Sequence, residues 1–552
     1  MTSRFSYVSN IFCDDIFTDE VKKLLIHLHD KFISELIEIR KIRLDNQALA
    51  RNGKKLDHPE KSEANGDWLV AELPDELRVP GIEISGPAGL TSMLINALNP
   101  GPNGVRAEGD LDDDEDAAGH TLEDTIYATR NRMNASLGKL EYTNPNTGKE
   151  YKLQSGKIPF FMHRERGLHL DESQVTVDGK PISATILGTA LTLMFGGKAQ
   201  HNKGQSVYFY IPKTESSREV EFYKDLFSEI KNFVPELGEI NIKAIILIES
   251  LPAVYQMEEM LYALGEYSAG LNAARWDLKA SILEYVLHDK NFVWPDRFDV
   301  TIQNTEFMSN IFRRLVAVCL KHNAIPIGGM ATALPSKDQE VNDEAAKSIK
   351  SDKEWEANQG FIRAWVAHIY HMDSAAEPFK KLASSGWEPS ENMKIPENYP
   401  VNIDNPSGKL TKEGTRQNIR TLIEYLEGWL SGRGAKGIDR LSGKPGKRPA
   451  LMEDLATARI STAQIAQRII HQSIAEDTEE SHSFELVKEI INSETKDIIS
   501  AFDDNDEITI RYKKSQKIAM RWIKNYTDYD FRSLGTYTRK ELDKIGSDED
   551  AF

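Results

Sequence analysis

Cysteine is scarce in this chain of 552 residues, which contains only Cys13 and Cys319. Two thiols exclude the disulfide framework of a small secreted domain, and such scarcity is typical of a reducing compartment. The longest apolar-looking run, residues 182–195, is interrupted by Ser, Thr and Gly and is too short to span a bilayer. The first residues lack the apolar core of a secretion signal, and the last three, DAF, are not a peroxisomal tripeptide. We therefore expect a cytoplasmic protein that does not associate with membranes.

Basic residues are outnumbered: the chain has 68 Lys and Arg against 86 Asp and Glu, which gives a formal net charge of −18. Because a nucleic-acid binder must neutralise phosphates with a basic surface, this balance disfavours nucleic-acid binding. A polyanionic ligand would instead need a local positive pocket. The apolar content of 40% and the charged content of 28% are typical of a soluble globular protein. The length predicts two or three domains.

The pattern along the chain predicts four segments. They are an N-terminal helical clasp (1–79), a strand-rich barrel section (80–375), a linker (376–408) and a C-terminal helical domain (409–552). Within the clasp, residues 17–50 are expected to form one long helix capped by Thr18. The motif EYTNPNTGKEYKL at 141–153 predicts a β-hairpin insertion. Apolar runs expected in the barrel section lie near 92–98, 158–163, 207–212, 244–248 and 324–328.

The stretch 243–280 carries the clearest strand–helix–strand pattern of the barrel section. Its apolar run, Ala244 to Ile248, is typical of a strand buried on both faces, and the run ends in Glu249. An amphipathic helix and a second strand are expected to follow, the second strand carrying Asp277. The helix is predicted from the apolar residues Val254, Met257, Met260, Leu261 and Leu264.

Glu249 and Asp277 are separated by about one strand–helix repeat of a parallel α/β barrel. Acids at the carboxyl ends of neighbouring barrel strands would point into the same mouth. Mg²⁺ commonly takes one or two protein carboxylates and leaves its other positions to water and substrate oxygens. The alternative is a pair of strand-end acids satisfied by Arg275 or by helix N-termini. Spacing alone does not decide between these interpretations.

Long motifs occur along the chain in the order RERGLHL (164–170), YFYIPKTES (208–216), LIESLPAVYQMEEML with SAGLNAARWD, GGMATALPSKD (328–338) and LMEDLATARIS (451–461). They resemble motifs of the malate synthase family, which occur in the same order, and the resemblance extends from about residue 80 to residue 475. The resemblance implies an α/β fold, a (β/α)₈ TIM barrel with an N-terminal helical clasp and a C-terminal helical domain. It also implies Mg²⁺-dependent Claisen condensation of acetyl-CoA with glyoxylate, followed by thioester hydrolysis to malate and CoA.

The resemblance also implies the roles of individual residues. Glu249 and Asp277 match the Mg²⁺ ligands, Arg164 matches the arginine that stabilises the enolate oxygen, and Asp454 matches the general base. Further positions match substrate or coenzyme contacts. Arg275 and Trp276 would present backbone N–H groups to the substrate carboxylate, Trp365 would line the small substrate pocket, and a loop with Gly328, Gly329, Pro335 and Lys337 would lie near coenzyme A.

Taken without the resemblance, several of these residues have a plainer interpretation. Asp454 lies near the start of a predicted helix, where an acid commonly caps the N-terminus. Arg164 alone would more often be a surface or ion-pairing arginine, and Lys337 an exposed lysine. The acidic run 110–116 is more often a solvated loop than a site.

The sequence of this chain departs from the family pattern at positions close to the expected active site. Asp110 is the best candidate for the acid that supports the metal's water shell, although the surrounding sequence differs from the family's. The other departures are Ala273 and Ala274 for Cys-Gly, Ile362 for an Asp, Ile369 for a Pro, and Arg459 for an acid.

These departures leave other functions open. One alternative is an enzyme for a different acyl-CoA and 2-oxo acid, or one that acts as a carbon–carbon lyase or thioesterase, since a few pocket substitutions can shift preference. A second alternative is a non-catalytic scaffold or binding protein. Arg363 and Arg459 are added cations, and we expect that they could receive an extra substrate carboxylate.

Overall fold

The computed structural model describes residues 4–439 and 448–548. Within these ranges the chain divides into two compact units. The first unit comprises the described residues of Met1–Asp45, Leu56–Ala274 and Arg313–Asn398. The second comprises those of Asn46–Lys55, Arg275–Phe312 and Tyr399–Phe552.

The first unit contains a closed barrel of eight parallel strands, which confirms the predicted TIM barrel. The strands of the described residues are β1 (Phe5–Tyr7), β2 (Gly81–Pro87), β3 (Gly109–Asp113), β4 (Glu141–Thr143), β5 (Glu150–Lys152), β6 (Phe160–Arg164), β7 (Asp171–Val177), β8 (Lys180–Ser183), β9 (Val207–Ile211), β10 (Ile242–Ile248), β11 (Ser268–Ala273), β12 (Ile325–Ala331), β13 (Arg363–Val366), β14 (Lys436–Ile438) and β15 (Leu451–Glu453). Around the barrel the strand order is β2-β3-β6-β9-β10-β11-β12-β13, and β13 closes onto β2.

Helices separate the barrel strands along the chain, as parallel neighbours require. The helices are α1 (Asp19–Arg51), α2 (Thr91–Leu98), α3 (Leu122–Leu137), α4 (Ala184–Thr192), α5 (Lys198–His201), α6 (Ser217–Phe233), α7 (Leu251–Val254), α8 (Met257–Leu264), α9 (Arg275–Val286), α10 (Glu306–Lys321), α11 (Gln339–Gln359), α12 (Met372–Ser384), α13 (Lys412–Leu430), α14 (Leu455–Ile470), α15 (Phe484–Ile499), α16 (Glu507–Thr527) and α17 (Arg539–Ser547). Among the described residues, no helix combines the length and the apolar character needed to cross a bilayer.

The barrel strands form where the apolar residues are continuous. Every residue of β9 and β10 is buried, as expected for strands covered on both faces. β11 and β12 approach each other closely at Gly270, where an added Cβ would lie 2.0 Å from the carbonyl oxygen of Ile325. Only glycine fits there, because a side chain would collide with the neighbouring backbone.

Several sequence predictions are confirmed. α1 begins at Asp19, and the Thr18 hydroxyl accepts a hydrogen bond from the N–H of Val21 at 3.3 Å. β4 and β5 form the predicted antiparallel hairpin. The apolar runs near 158–163, 207–212, 244–248 and 324–328 correspond to β6, β9, β10 and β12.

Other predictions of secondary structure were wrong. The run 92–98 lies in helix α2, because a short apolar run can be buried equally well as a helix or as a strand. The expected second strand ends at Ala273, so Arg275, Trp276 and Asp277 lie on the first turn of α9 instead. The predicted helix after Glu249 is two helices, α7 and α8. Helix α12 extends into the segment predicted as a linker, and the remaining domain boundaries stay predictions.

The second unit is mostly helical. α14 packs against α9, α13 and α16, and α15 packs against α13 and α16. The short strands β14 and β15 pair antiparallel, and β15 ends immediately before α14.

In the first unit, Glu258 of α8 connects three distant parts of the chain. Its carboxylate accepts hydrogen bonds from Lys321 at 2.7 Å, from His322 at 3.0 Å and from Asn65 at 3.1 Å. Burial favours the neutral acid, but these hydrogen bonds outweigh burial and lower the pKa of Glu258 to about 2. The ionised carboxylate therefore stabilises the folded state.

We predict that Glu258→Gln lowers the free energy of unfolding by about 1–3 kcal/mol at neutral pH. The pKa of Glu258 is depressed on folding, so its contribution is present above its ordinary value of 4.5 and is lost as pH falls toward about 2. The variant should therefore lose less stability than the parent between about pH 5 and pH 3. Calorimetric Tm measured against pH checks this. Glu377→Gln, which breaks an exposed pair with Lys350, should change the profile little.

Candidate active site

Arg164 ends strand β6, and its guanidinium is held by acids from the neighbouring strand. Nε and one terminal nitrogen donate to the two oxygens of Asp113 at 2.7 and 2.6 Å. The other terminal nitrogen lies 3.2 Å from Asp116 Oδ2. The side chain is only 3% exposed. Burial disfavours the cation, but Asp113 and Asp116 raise the pKa of Arg164 well above its ordinary value. The structure thus fixes a permanent positive charge at the carboxyl end of β6.

Glu249 directly follows β10, and Lys213 follows β9 by two residues. The backbone N–H of Lys213 donates to Glu249, and the Lys213 ammonium lies 3.1 Å from Asp116 Oδ2 and 3.6 Å from Glu249 Oε2. Asp116 and Glu249 each offer a carboxylate oxygen, and these atoms lie within 4.8 Å of each other. Two acids and a lysine therefore meet at the ends of β3, β9 and β10.

The Asp116–Glu249 pair fits a hard divalent cation. Both side chains are buried, and carboxylate oxygens are the donors that Mg²⁺ prefers. Oδ1 of Asp116 is buried and accepts no hydrogen bond among the described residues. Burial opposes ionisation of Asp116, but Lys213 and Arg164 outweigh it and hold the pKa of Asp116 below its ordinary value. Asp116 therefore offers an ionised carboxylate, which a cation requires.

The acidic run 110–116 is buried throughout, so the prediction of a solvated loop was wrong. Arginines from elsewhere in the unit compensate its charges. Arg132 of α3 donates to Asp112 at 2.7 Å, to Asp114 at 3.1 Å and to Glu165 at 2.8 Å. Arg164 binds two more acids of the run, Asp113 and Asp116. Glu115 accepts a hydrogen bond from the backbone N–H of Gly167 at 2.6 Å. A buried acid is tolerated where an arginine pairs with it, and the sequence of the run does not reveal its partners.

Asp110, the predicted supporting acid for the metal's water shell, lies on β3. Both of its carboxylate oxygens are buried without a hydrogen-bond partner among the described residues. Burial, and then the neighbouring charge of Asp112, raise the pKa of Asp110 well above its ordinary value. The acid of this run that lies beside Glu249 is Asp116, so Asp116 is the better candidate for that role.

Trp365 of β13 is fixed inside the barrel by a buried acid. Its indole N–H lies 3.1 Å from Glu83 Oε2 and 3.1 Å from the Tyr210 hydroxyl, which itself donates to Glu83 at 2.6 Å. Arg363 also donates to Glu83, at 3.0 Å. The Arg164 guanidinium lies 5.6 Å from the Trp365 ring centre. Trp365 therefore lies next to the fixed charge of Arg164.

The segment GGM, predicted as a loop near coenzyme A, is part of strand β12. The Gly329 N–H donates to Glu356 at 3.0 Å, and its carbonyl accepts from Lys353 at 2.6 Å. A Cβ at Gly328 would lie 2.2 Å from Glu356 Oε2. The two glycines allow close packing against α11, and the N–H and the carbonyl of Gly329 both already form hydrogen bonds. Pro335 and Lys337 lie beyond the strand, with Lys337 exposed.

In the second unit, Arg275, Trp276 and Asp277 begin helix α9. Asp277 Oδ1 accepts a hydrogen bond from Arg459 at 3.0 Å. The Trp276 ring lies 4.7 Å from the Lys279 ammonium and 6.0 Å from the Arg297 guanidinium.

Asp454 is the N-cap of α14. Its carboxylate accepts from the N–H of Thr457 at 3.3 Å, and the Thr457 hydroxyl lies 3.1 Å from the Asp454 N–H. The preceding residue, Glu453, is anchored by two hydrogen bonds from Arg297 at 3.0 and 2.8 Å. The capping role that the sequence indicated is therefore confirmed, and it fixes the Asp454 backbone.

The idea that Arg363 and Arg459 receive an extra substrate carboxylate is not supported. Arg363 is fully buried and donates to Glu83 and to the carbonyls of residues 77 and 79. Arg459 donates to both oxygens of Glu284 and to Asp277. Each added cation is thus compensated by an acid of its own unit.

Comparison with known proteins identifies the family. The domain model described as "Malate synthase, TIM barrel domain" matches residues 160–400, and "Malate synthase, C-terminal" matches residues 409–539. A malate synthase of Myxococcus xanthus (strain DK1622) is 35% identical over 471 residues, covering 84% of this chain and 83% of that protein. The chain belongs to the malate synthase family. Malate synthase A of Escherichia coli (strain K12) is 34% identical over 463 residues, covering 83% of each chain.

Membership in the malate synthase family confirms the resemblance seen in the sequence motifs. It favours an enzyme, a transferase of the Claisen-condensation type, over a non-catalytic scaffold. A third malate synthase, from Streptomyces clavuligerus, is 31% identical over 541 residues, covering 95% of this chain and 96% of that protein.

Sequence reasoning missed Asp113, Asp116, Lys213, Glu83 and Tyr210. The sequence contained a usable signal for three of them. Asp113, Asp116 and Lys213 lie at or just after the carboxyl ends of β3 and β9, where TIM-barrel enzymes place functional groups. Glu83 and Tyr210 lie within strands, and only the closure of the barrel brings them together.

We predict that Glu83→Gln lowers the free energy of unfolding by about 3–5 kcal/mol, because Arg363 would be left buried without its carboxylate. Urea unfolding at neutral pH measures the loss. As a control, Asp30→Asn weakens an ion pair of Arg4 in which both side chains are exposed, and it should change the free energy of unfolding little. Equal small losses in the two variants would contradict the structural role of Glu83.

Proposed function

We propose that this chain condenses acetyl-CoA with glyoxylate and then hydrolyses the thioester, giving malate and CoA. Membership in the malate synthase family supports the reaction. The observation that carries it is the buried cluster in which Arg164 is fixed next to Trp365 and beside the acids Asp116 and Glu249. Such a cluster provides a fixed positive charge and oxygen ligands for a cation.

We propose Glu249 and Asp277 as Mg²⁺ ligands, with Asp116 as a further acid for the cation or its water shell. When bound, Mg²⁺ would polarise the aldehyde oxygen of glyoxylate. Arg275 and Trp276 occupy the first turn of α9, at the end of the helix where the dipole favours a negative charge. A small carboxylate suits a helix N-terminus, which supports their proposed contact with the oxo acid.

Asp454 is proposed as the base that removes a proton from the acetyl methyl group. The resulting carbanion forms a bond to the aldehyde carbon of glyoxylate, and water later cleaves the thioester to release CoA. Asp454 lies at the N-terminus of α14, where the helix dipole favours the carboxylate form that a base requires.

Arg164 is proposed to stabilise the enolate oxygen that forms when the proton leaves. Arginine stays charged throughout the relevant pH range, and its planar fork offers two donors to an oxygen. Because Asp113 already holds the guanidinium, little reorganisation is needed as charge develops on the substrate.

Coenzyme A is proposed to bind along Gly328, Gly329, Pro335 and Lys337. The exposed Lys337 could meet a phosphate group. The peptide groups of Gly329 are occupied by Glu356 and Lys353, so contacts with the coenzyme would come from the residues beyond β12. A cytoplasmic location is part of the same proposal, supported by two cysteines that are both buried free thiols.

We expect the purified chain to release free thiol and form malate when acetyl-CoA, glyoxylate and Mg²⁺ are all present, and to do neither when any one is omitted. A thiol reagent and chromatography of the acid product measure the two. Thiol release with another acyl-CoA and 2-oxo acid, but not with this pair, would reassign the substrates. Failure with all pairs, together with no thermal stabilisation by Mg²⁺ and glyoxylate, would reject an enzymatic role.

We predict that Asp454→Asn lowers kcat by at least about 100-fold, because the amide cannot accept the methyl proton. Asn is as good an N-cap as Asp, so the variant should keep a Tm close to that of the parent. Thermal stabilisation by Mg²⁺ and glyoxylate should also persist. Loss of that stabilisation in a normally folded variant would show that Asp454 has a different role.

A further inference from the structure

Arg459 of α14 joins two helices of the second unit. Its Nε and one terminal nitrogen donate to the two oxygens of Glu284 at 3.0 and 2.7 Å. The other terminal nitrogen donates to Asp277 Oδ1 at 3.0 Å. Glu284 also accepts from the Tyr526 hydroxyl at 2.7 Å. Arg459 therefore connects α14 with both acids of α9.

The geometry of this bridge restricts Asp277. A bidentate pair with Glu284 fixes the plane of the guanidinium, because both parallel donors must face the two carboxylate oxygens. The remaining N–H then points in a set direction and holds one oxygen of Asp277. The acids are 5% and 4% exposed at the side chain, so water competes little for these bonds.

The charges of the bridge leave it attractive to a cation. One guanidinium faces two carboxylates, so the group carries about one net negative charge when both acids are ionised. Glu284 compensates the positive charge of Arg459. The hydrogen bond from Arg459 therefore orients the Asp277 carboxylate, and the three side chains together keep a net negative charge. Hydrogen bonds of this kind to a metal-binding carboxylate orient the ligand, and their loss typically weakens metal binding by about 10–100-fold.

We infer that Arg459 is a positioning residue for the divalent cation, and that it acts by holding Asp277 in the orientation needed for ligation. This inference rests on the proposed function, in which Asp277 is a Mg²⁺ ligand. The bridge also links α9 to α14, the helix that begins at the proposed base Asp454.

Arg459→Gln and Arg459→Lys test the inference in the full-length chain. Gln removes the charge and the fork, whereas Lys keeps the charge but lacks the planar fork that binds both oxygens of Glu284 and sets the direction of the donor to Asp277. Titration of Mg²⁺ by calorimetry, and of Mn²⁺ by electron paramagnetic resonance, measures the Kd without acyl-CoA and without turnover. We expect both variants to bind about 10–100-fold more weakly than the parent. At saturating Mg²⁺, kcat should return to within about threefold of the parent, because Asp277 itself is unchanged.

Arg468→Gln is the matched control. Arg468 is a buried arginine on the same helix, where it donates to Asp296 at 2.8 Å and to Thr415 at 2.6 Å. Its loss should lower the Tm but leave the Mg²⁺ Kd within about threefold of the parent's. If Arg459→Gln does not fold, Arg459→Lys carries the test alone.

The measurements distinguish a failure of the inference about Arg459 from a failure of the proposed function. An unchanged or tighter Kd in the Arg459 variants would overturn the inference, as would equal weakening in Arg468→Gln. A parent chain that neither binds Mg²⁺ nor condenses the substrates would overturn the proposed function instead. A parent that does both, with variants that bind Mg²⁺ normally, would refute only the role of Arg459.

Discussion

Charge compensation inside the barrel is the constraint on which the first unit depends. Strand β3 and the residues after it bring a run of acids into a buried region, where an unpaired charge would cost several kcal/mol. Arg132 and Arg164 pair with four of its acids, two each. Because successive strand residues face opposite sides, Asp112 points to Arg132 in the helical layer and Asp113 points to Arg164 on the other side. One set of pairs anchors the strand, and the other fixes the charge used in the proposed reaction.

The added cations of this chain illustrate the same rule. Arg363 and Arg459 stand out in the sequence as extra positive charges, and each has a buried acid as its partner. Glu83 pairs with Arg363 and also orients Tyr210 and Trp365. The two added arginines therefore form local ion pairs rather than a new positive pocket. This is consistent with the substrates of the malate synthase family.

Asp454, the proposed base, is held in place differently from Arg164. Arg164 is held by other side chains deep within a barrel, whereas Asp454 is held mainly through its backbone, as the cap of a helix and the neighbour of the anchored Glu453. The proposed base and the proposed charge stabiliser therefore have separate supports, which can be tuned independently.

The sequence alone determined the family, the barrel and most of its apolar strands, because β-branched runs such as 244–248 have one stable environment and long motifs are specific. It also predicted Arg164, Glu249 and Asp454 at the ends or starts of elements. Only the tertiary structure decided that the run 92–98 is a helix, that the acids 110–116 are buried, and that Asp116 lies beside Glu249. The physical reason is that a short apolar run or an acidic run has no fixed environment of its own. Partners such as Arg132 and Lys213 come from distant positions, and only folding brings them into contact.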